Sequence, residues 1–224
     1  MLSLFLKTVF NCFPGGRTVH QCFSLRNALD EIGWLRSNRE QKSIDLMGKA
    51  VPWYTYPAIA FLAERVPPNA KVLEFGCGNS TLWWGDRAGS VTSIEHDEAW
   101  FRNVSQSLPA NANCLLLADA SRGDNTWDHN PTGYSTAQGV DEQEFDVIVI
   151  DGLERNNCAH HALSRLSDSG VVIWDNSDRP KYEQGFGLLD KAGFQRIDFH
   201  GLGPINNHLS CTTIFYRQNN CFRI

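Results

Sequence analysis

The chain has 224 residues, of which 42% are hydrophobic, 20% charged and 11% aromatic, the composition of an ordinary globular protein rather than a disordered, collagenous or coiled-coil one. At this length one domain buries a full core without disulfide or metal staples. The formal net charge of -5 and the lack of a long Lys/Arg run supply no electrostatic footprint for a polyanion, so nucleic acid is not expected as a partner.

Seven cysteines (Cys12, Cys22, Cys77, Cys114, Cys158, Cys211 and Cys221) are an odd number with no C-x-x-C pair, and read as reduced thiols of a cytoplasmic protein. The opening MLSLFLKTVFNCF is apolar but broken by Lys7, and lacks the charged start and small-residue cleavage site of a secretory signal. No other stretch approaches the ~18 apolar residues of a membrane span, so no integral membrane segment is expected. Residues 1–29 hold no acid and carry Lys7, Arg17 and Arg26, which leaves a transit peptide or membrane-surface segment open.

Leu25, Ala28, Leu29, Ile32 and Leu35 recur at helical spacing behind Ser24, predicting an amphipathic helix with Ser24 as its N-cap. In WYTYPAIAFLAERVPP, Pro57 sits at a first helical turn and Pro67-Pro68 ends the run, predicting a helix of about nine residues. From Lys71 the period changes. KVLEF, VTSIE, NCLLLA, FDVIVID and GVVIWD are short apolar runs alternating with helical stretches, which predicts a parallel sheet covered on both faces. Between them Asp97 caps a helix with Trp100, Phe101, Val104 and Leu108 on one face. Ala159, Ala162, Leu163 and Leu166 make another stripe, and Pro180 opens a helix that stops at Gly193. FQRIDF and CTTIFYR are joined by a connection too short for a helical crossover, so they pair as an antiparallel hairpin. The fold class is therefore α/β, doubly wound and Rossmann-like, with a terminal hairpin. Residues 1–51 are a partly helical N-terminal extension and 52–224 the main domain. The one long polar insertion, Ser121 to Glu144, contains Gly123, Trp127, Gly133, Tyr134 and Gly139, and insertions of this length are commonly functional.

The strongest chemical signal is Glu74-Phe-Gly76-Cys-Gly78-Asn79-Ser80-Thr81, directly after one predicted strand and before a helix. Gly76 and Gly78 permit close backbone approach to a ligand. The next strand ends in Glu95, placed to accept the hydroxyls of a ribose, and together these point to a nucleoside cofactor. A dinucleotide fingerprint wants Gly or Ala three places after the second Gly, where Thr81 stands with Leu82 behind it, so a dehydrogenase is disfavoured.

On these residues, and on the terminal hairpin, the sequence from about Pro52 to Arg217 resembles the class I S-adenosylmethionine-dependent methyltransferases. The resemblance implies that Glu74, Gly76 and Gly78, with Asn79 and Ser80, hold the methionine end of the cofactor. It places Glu95 and His96 at the ribose, Asp119 and Ala120 at the adenine, and Asp151 at the rim of the same site.

Asp151 closes FDVIVID and Asp175-Asn176 closes GVVIWDN, so both strand ends project into the crevice where open parallel sheets bind ligands. Two carboxylates and an amide would suit Mg2+. The metal site of the catechol O-methyltransferase type is similar, though that family has a Lys three residues after the first Asp where this chain has Glu154 and then Arg155. Helix capping by Asp151 and an ordinary strand-end role for Asp175 stay open beside the metal.

Methyl transfer needs an aligned acceptor and, for a hydroxyl, a base. Asp175, Asp151 and His208 are the candidates in that order. His160-His161 read as structural and Trp83 and Trp84 as core; Arg155 and Arg179 flank the pocket, where they are either solvated, the default, or hold a carboxylate or phosphate on the acceptor. The expectation is a methyltransferase acting on a small-molecule acceptor, on oxygen. The alternatives are an aminopropyltransferase using the decarboxylated cofactor and a non-catalytic nucleoside-binding module. The N-terminal helices either cap the pocket or build a homodimer interface.

Overall fold

The computed structural model describes residues 15–120 and 131–224. Two helices come first, α1 (Gly16–Glu31) and α2 (Trp34–Glu40), then α3 (Tyr56–Ala63). The main pattern follows as β1 (Lys71–Phe75), α4 (Asn79–Gly85), β2 (Ser90–Glu95), α5 (Glu98–Ser105), β3 (Ala112–Leu116), α6 (Gly133–Thr136), β4 (Phe145–Ile150), α7 (Arg155–Ala162), β5 (Leu166–Asp175), α8 (Glu183–Lys191), β6 (Gln195–Gly201) and β7 (Ser210–Tyr216). The seven strands form one sheet in the order β3-β2-β1-β4-β5-β7-β6, with β7 antiparallel to both its neighbours and the other pairs parallel.

Strand alternation divides the core into two layers. Leu73, Phe75, Ile148, Ile150, Val172 and Trp174 face one side, and Val72, Val147, Val149, Val171 and Ile173 the other. Each fully buried Leu, Val, Ile or Phe contributes roughly 1.5–3 kcal/mol, so the central strands, buried on both faces, anchor the domain. The paired Trp83 and Trp84 of α4 pack edge-to-face in the second layer, 4.9 Å between ring centroids.

The N-terminal helical pattern resolves differently from the sequence expectation. α1 begins at Gly16, and Ser24 lies inside it with its hydroxyl donating to His20 O at 3.1 Å, so it is not an N-cap. The apolar stripe is divided at Gly33, whose φ is +81° and where an added Cβ would meet the Leu46 backbone nitrogen at 2.7 Å. Only a residue without a side chain lets the 45–46 segment pass there. Leu25 and Ile32 stay exposed, and Leu35 falls on α2.

Of the long insertion, residues 121–130, including Gly123 and Trp127, lie outside the described residues. The remainder is not a surface loop: Tyr134 is fully buried, 6.0 Å between centroids from Phe75, and accepts from Leu153 N at 3.3 Å. A Cβ at Gly152 would stand 1.9 Å from that hydroxyl. Gly152→Ala should therefore cost about 1–3 kcal/mol by overpacking, read as a lowered urea midpoint, while an unchanged midpoint would show that Tyr134 gives way freely.

Candidate active site

The chain order reverses between β1 and β4, so the crevice at their carboxyl ends is the topological switch point of the sheet. The turn after β1 forms its floor. Gly76 (φ +99°) donates to Ile94 O at 2.8 Å, and a Cβ there would press on the Gly152 backbone at 3.2 Å. Gly78 N donates to Thr81 Oγ1 at 3.0 Å, and that hydroxyl in turn donates to Glu74 Oε2 at 2.5 Å. Ser93 Oγ donates to the same carboxylate oxygen at 2.7 Å. Full burial pushes the Glu74 carboxyl up to about 7, against the pull of the hydroxyl donors. Glu74 thus works from behind the turn, holding Gly78 through Thr81.

Glu95 ends β2 at the edge of the crevice. Its carboxylate accepts from Cys77 N at 3.2 Å and from His96 N and Asp97 N at 2.8 Å, and His96 Nδ1 lies 2.9 Å away. With Gly76, Ser80, His96, Asp151 and Gly152 it borders a cavity of about 380 Å³. Trp100 reaches over the Gly turn, its Nε1 donating to Cys77 O at 2.6 Å.

A second cavity, of about 780 Å³, adjoins the first, and Cys77, Ser80, Trp100 and Asp151 line both. Its walls combine Ser43 of the N-terminal extension and Trp53, just after it, with Asp175, Asn176, Arg179 and His208. The extension is clamped in place: Asn79 Nδ2 donates to Ser43 O at 2.7 Å, Trp34 Nε1 to Asn206 O at 2.6 Å and Trp53 Nε1 to Asn206 Oδ1 at 3.0 Å. Asp175 is 3% exposed and accepts from Thr212 Oγ1 at 2.7 Å. Burial first, and the nearby Asp151 charge second, push its carboxyl up to about 8, opposed by Arg155 and by the Thr212 hydrogen bond. Burial raises Asp151 as well, while Arg155 and Arg179 pull it back.

A family model described as a methyltransferase domain matches residues 73–177, the span from β1 to just past β5. No curated protein matches the sequence. Among solved structures, a precorrin-6y C5,15-methyltransferase from Geobacter metallireducens is 11% identical over 72% of this chain and 87% of its own, with a TM-score of 0.55. A putative methyltransferase from Streptococcus mutans, solved with S-adenosylhomocysteine, is 14% identical over 70% and 94%, with a TM-score of 0.50. Residues 73–177 thus form a methyltransferase domain, on the fold of the S-adenosylmethionine-dependent methyltransferases. A methyltransferase-like protein from Silicibacter pomeroyi is 22% identical over 71% and 84%, with a TM-score of 0.48.

The residues singled out from sequence take different places around the two cavities. Glu74 lines neither cavity. Asp119 is exposed and is taken up by the start of α6, accepting from Gly133 N at 2.5 Å and Tyr134 N at 3.0 Å, and Ala120 packs against the core beside it. Asn79 borders the larger cavity and clamps the extension, whereas Ser80 borders both cavities. His208 is exposed on the wall of the larger cavity, its Nδ1 3.4 Å from Asn207 Oδ1. Asp151, Asp175 and Asn176 do come together.

A divalent ion does not fit among those three. The buried Arg155 guanidinium lies there, its Nη2 donating to Asp151 Oδ1 at 3.1 Å and to Asn176 Oδ1 at 3.4 Å, and its Nη1 donating to the carbonyl oxygen of Asp175. Mg2+ in the same place would sit against a fixed positive charge. Among the described residues, no group of three or more His, Cys, Asp and Glu could hold a metal ion. Arg155 is thus an internal cation and not a solvated neighbour of the pocket; its position four residues after Asp151, at the start of a helix, is the one sequence signal that pointed there. Trp100 was also misplaced by its helical stripe: it is 49% exposed, because the indole leaves the core face to reach Cys77 O.

No helix among the described residues is long and apolar enough to cross a membrane.

Proposed function

We propose that the methyltransferase transfers a methyl group to an oxygen of a small-molecule acceptor, with Asp175 as the base and without a metal. The observation that carries this reading is the pair of cavities meeting along Cys77, Ser80, Trp100 and Asp151, with Glu95 in the smaller and Asp175 in the larger. The smaller cavity suits the cofactor, since Gly76 has no Cβ to fill the cradle and Glu95 keeps acceptor capacity beyond its three backbone donors. Glu95 would hold the ribose, with His96 beside it, and the Gly76–Ser80 turn would hold the amino-acid end. Bound S-adenosylmethionine supplies an electrophilic methyl group on a sulfonium.

Asp175 holds or takes the acceptor's proton from the facing cavity. Its Thr212 hydrogen bond fixes the carboxylate, and its raised pKa makes it a stronger base than an ordinary aspartate. Trp100 and the clamped extension border the larger cavity, and the edge it shares with the smaller one aligns the two reactants.

Titration with S-adenosylmethionine and S-adenosylhomocysteine, followed by a radiolabel screen of hydroxylated acceptors with Mg2+ or EDTA, tests the reading. Turnover unaffected by EDTA is the expected result, and turnover that disappears with EDTA and returns with Mg2+ would overturn the metal-free site. Glu95→Ala should weaken cofactor binding by roughly tenfold or more while its circular dichroism stays native; unchanged affinity would remove Glu95 from the ribose.

A further inference from the structure

The charge balance of the larger cavity narrows the acceptor. Of the carboxylates on its wall, Asp151 is paired with Arg155 at 3.1 Å, and Asp175 is buried and largely protonated at neutral pH. Two cations border the same space, Lys42 from the extension and Arg179 from the segment after β5. Among the described residues, neither side chain makes a hydrogen bond or close ion pair, although Arg179 acts at longer range on Asp151 and Lys42 on Glu40. The acid nearest Lys42 in sequence, Glu40, is held by Arg36 at 2.8 Å, and Asp178 beside Arg179 accepts from Cys211 N at 3.1 Å. In a concave wall, two such cations create a positive potential that a polyamine would oppose and an anion would satisfy.

The rest of the wall is aromatic. Trp53 and Trp100 are each about half exposed although they border a cavity. The single polar atom of each indole is already used, by Asn206 Oδ1 and by Cys77 O, so both offer the cavity apolar ring surface.

We infer that the acceptor is an organic oxyanion, a flat hydroxylated molecule bearing a carboxylate or phosphate that Arg179 and Lys42 hold while its ring lies against Trp53 and Trp100. This rests on the assignment of the larger cavity to the acceptor. Arg179 is the main anchor, because its planar guanidinium can donate two parallel hydrogen bonds to an oxyanion, with Lys42 adding a point charge. The hydroxyl then falls to Asp175, four residues before Arg179 and on the same wall.

The test is ligand-observed NMR on the full chain saturated with S-adenosylhomocysteine, using 4-hydroxybenzoate, phenyl phosphate, 4-hydroxybenzamide and tyramine as probes. The two anions should bind roughly tenfold more tightly than the amide or the amine, and salt should weaken them. The stronger of the two identifies the acid group. Arg179→Gln and Lys42→Gln should each remove part of the anion preference, and the double variant all of it, with affinity for S-adenosylhomocysteine unchanged. Amide or amine binding as tight as the anions, preference surviving in the double variant, or no anion binding to the loaded protein would each overturn the inference. Wild-type protein that fails to bind S-adenosylhomocysteine would overturn the cofactor reading and this inference together, a result distinct from every failure of the anion probes.

Discussion

Asp175→Asn is expected to lower turnover by about 10²–10⁴-fold, the usual contribution of a positioned base, with cofactor affinity unchanged. Asn can still accept from Thr212 Oγ1, so the substitution removes the proton acceptor while keeping the 2.7 Å contact. In the wild-type chain the carboxyl is pushed up to about 8, so the active, ionised form is a minority at neutral pH. The rate should climb nearly tenfold per pH unit on approaching about 8 and level off above it, a slope that the Asn variant lacks. Stability runs the other way. Because the folded chain holds this proton more tightly than the unfolded chain, the contribution is fully present below the ordinary carboxyl value of 3.8, and it is lost as pH rises to about 8. The Asn variant does not titrate, so its urea midpoint should gain on the wild type at alkaline pH. A flat rate profile in the wild type, or near-normal turnover in the variant, would take Asp175 out of the mechanism.

Arg155→Ala should be the most destabilising change at the site, by about 3–5 kcal/mol, because it strips the partner from an enclosed carboxylate. The lost guanidinium also tethers the turns after β4 and β5 through the Gly152, Asp151 and Asp175 carbonyls. Burial would then raise the Asp151 carboxyl further, without the guanidinium to oppose it, and the variant should unfold at markedly lower urea. Arg155→Lys keeps the charge but not the fork of donors, and should recover only part of the loss. A cost under about 1 kcal/mol for Arg155→Ala would show that water replaces the guanidinium freely.

The sheet was legible in the sequence because its signals are local. Val and Ile runs of strand length, Gly76 and Gly78 between a strand and a helix, and an acid at the end of β2 each depend on neighbours a few residues away. The placements that were not legible depend on distant partners. Asp119 looks like a free loop acid until Gly133 and Tyr134, across the insertion, bring their amide groups to it. Arg155 reads as a surface side chain at a helix start, and its inward course is set by the end of β5, twenty residues on. Glu74 shares the motif of the Gly turn but lines neither cavity, since strand alternation turns it toward Thr81 and Ser93. The division of α1 from α2 turned on Gly33 meeting residues 45 and 46, a contact with no signature in helical periodicity.

The clamp between the N-terminal extension and the connection from β6 to β7 links parts of the chain more than 150 residues apart: Trp34 and Trp53 both bind Asn206, and Asn38 Nδ2 donates to Ile205 O at 3.1 Å. Lys42 and His208, one from each part, border one space. On the proposed reading of that space as the acceptor site, acceptor preference is a two-piece module. Transplanting residues 202–209 alone into a related enzyme would leave Ile205 and Asn206 without their anchors and carry no preference across. Drift toward a new acceptor requires paired changes in both segments, while the cofactor turn between them in sequence stays as it is.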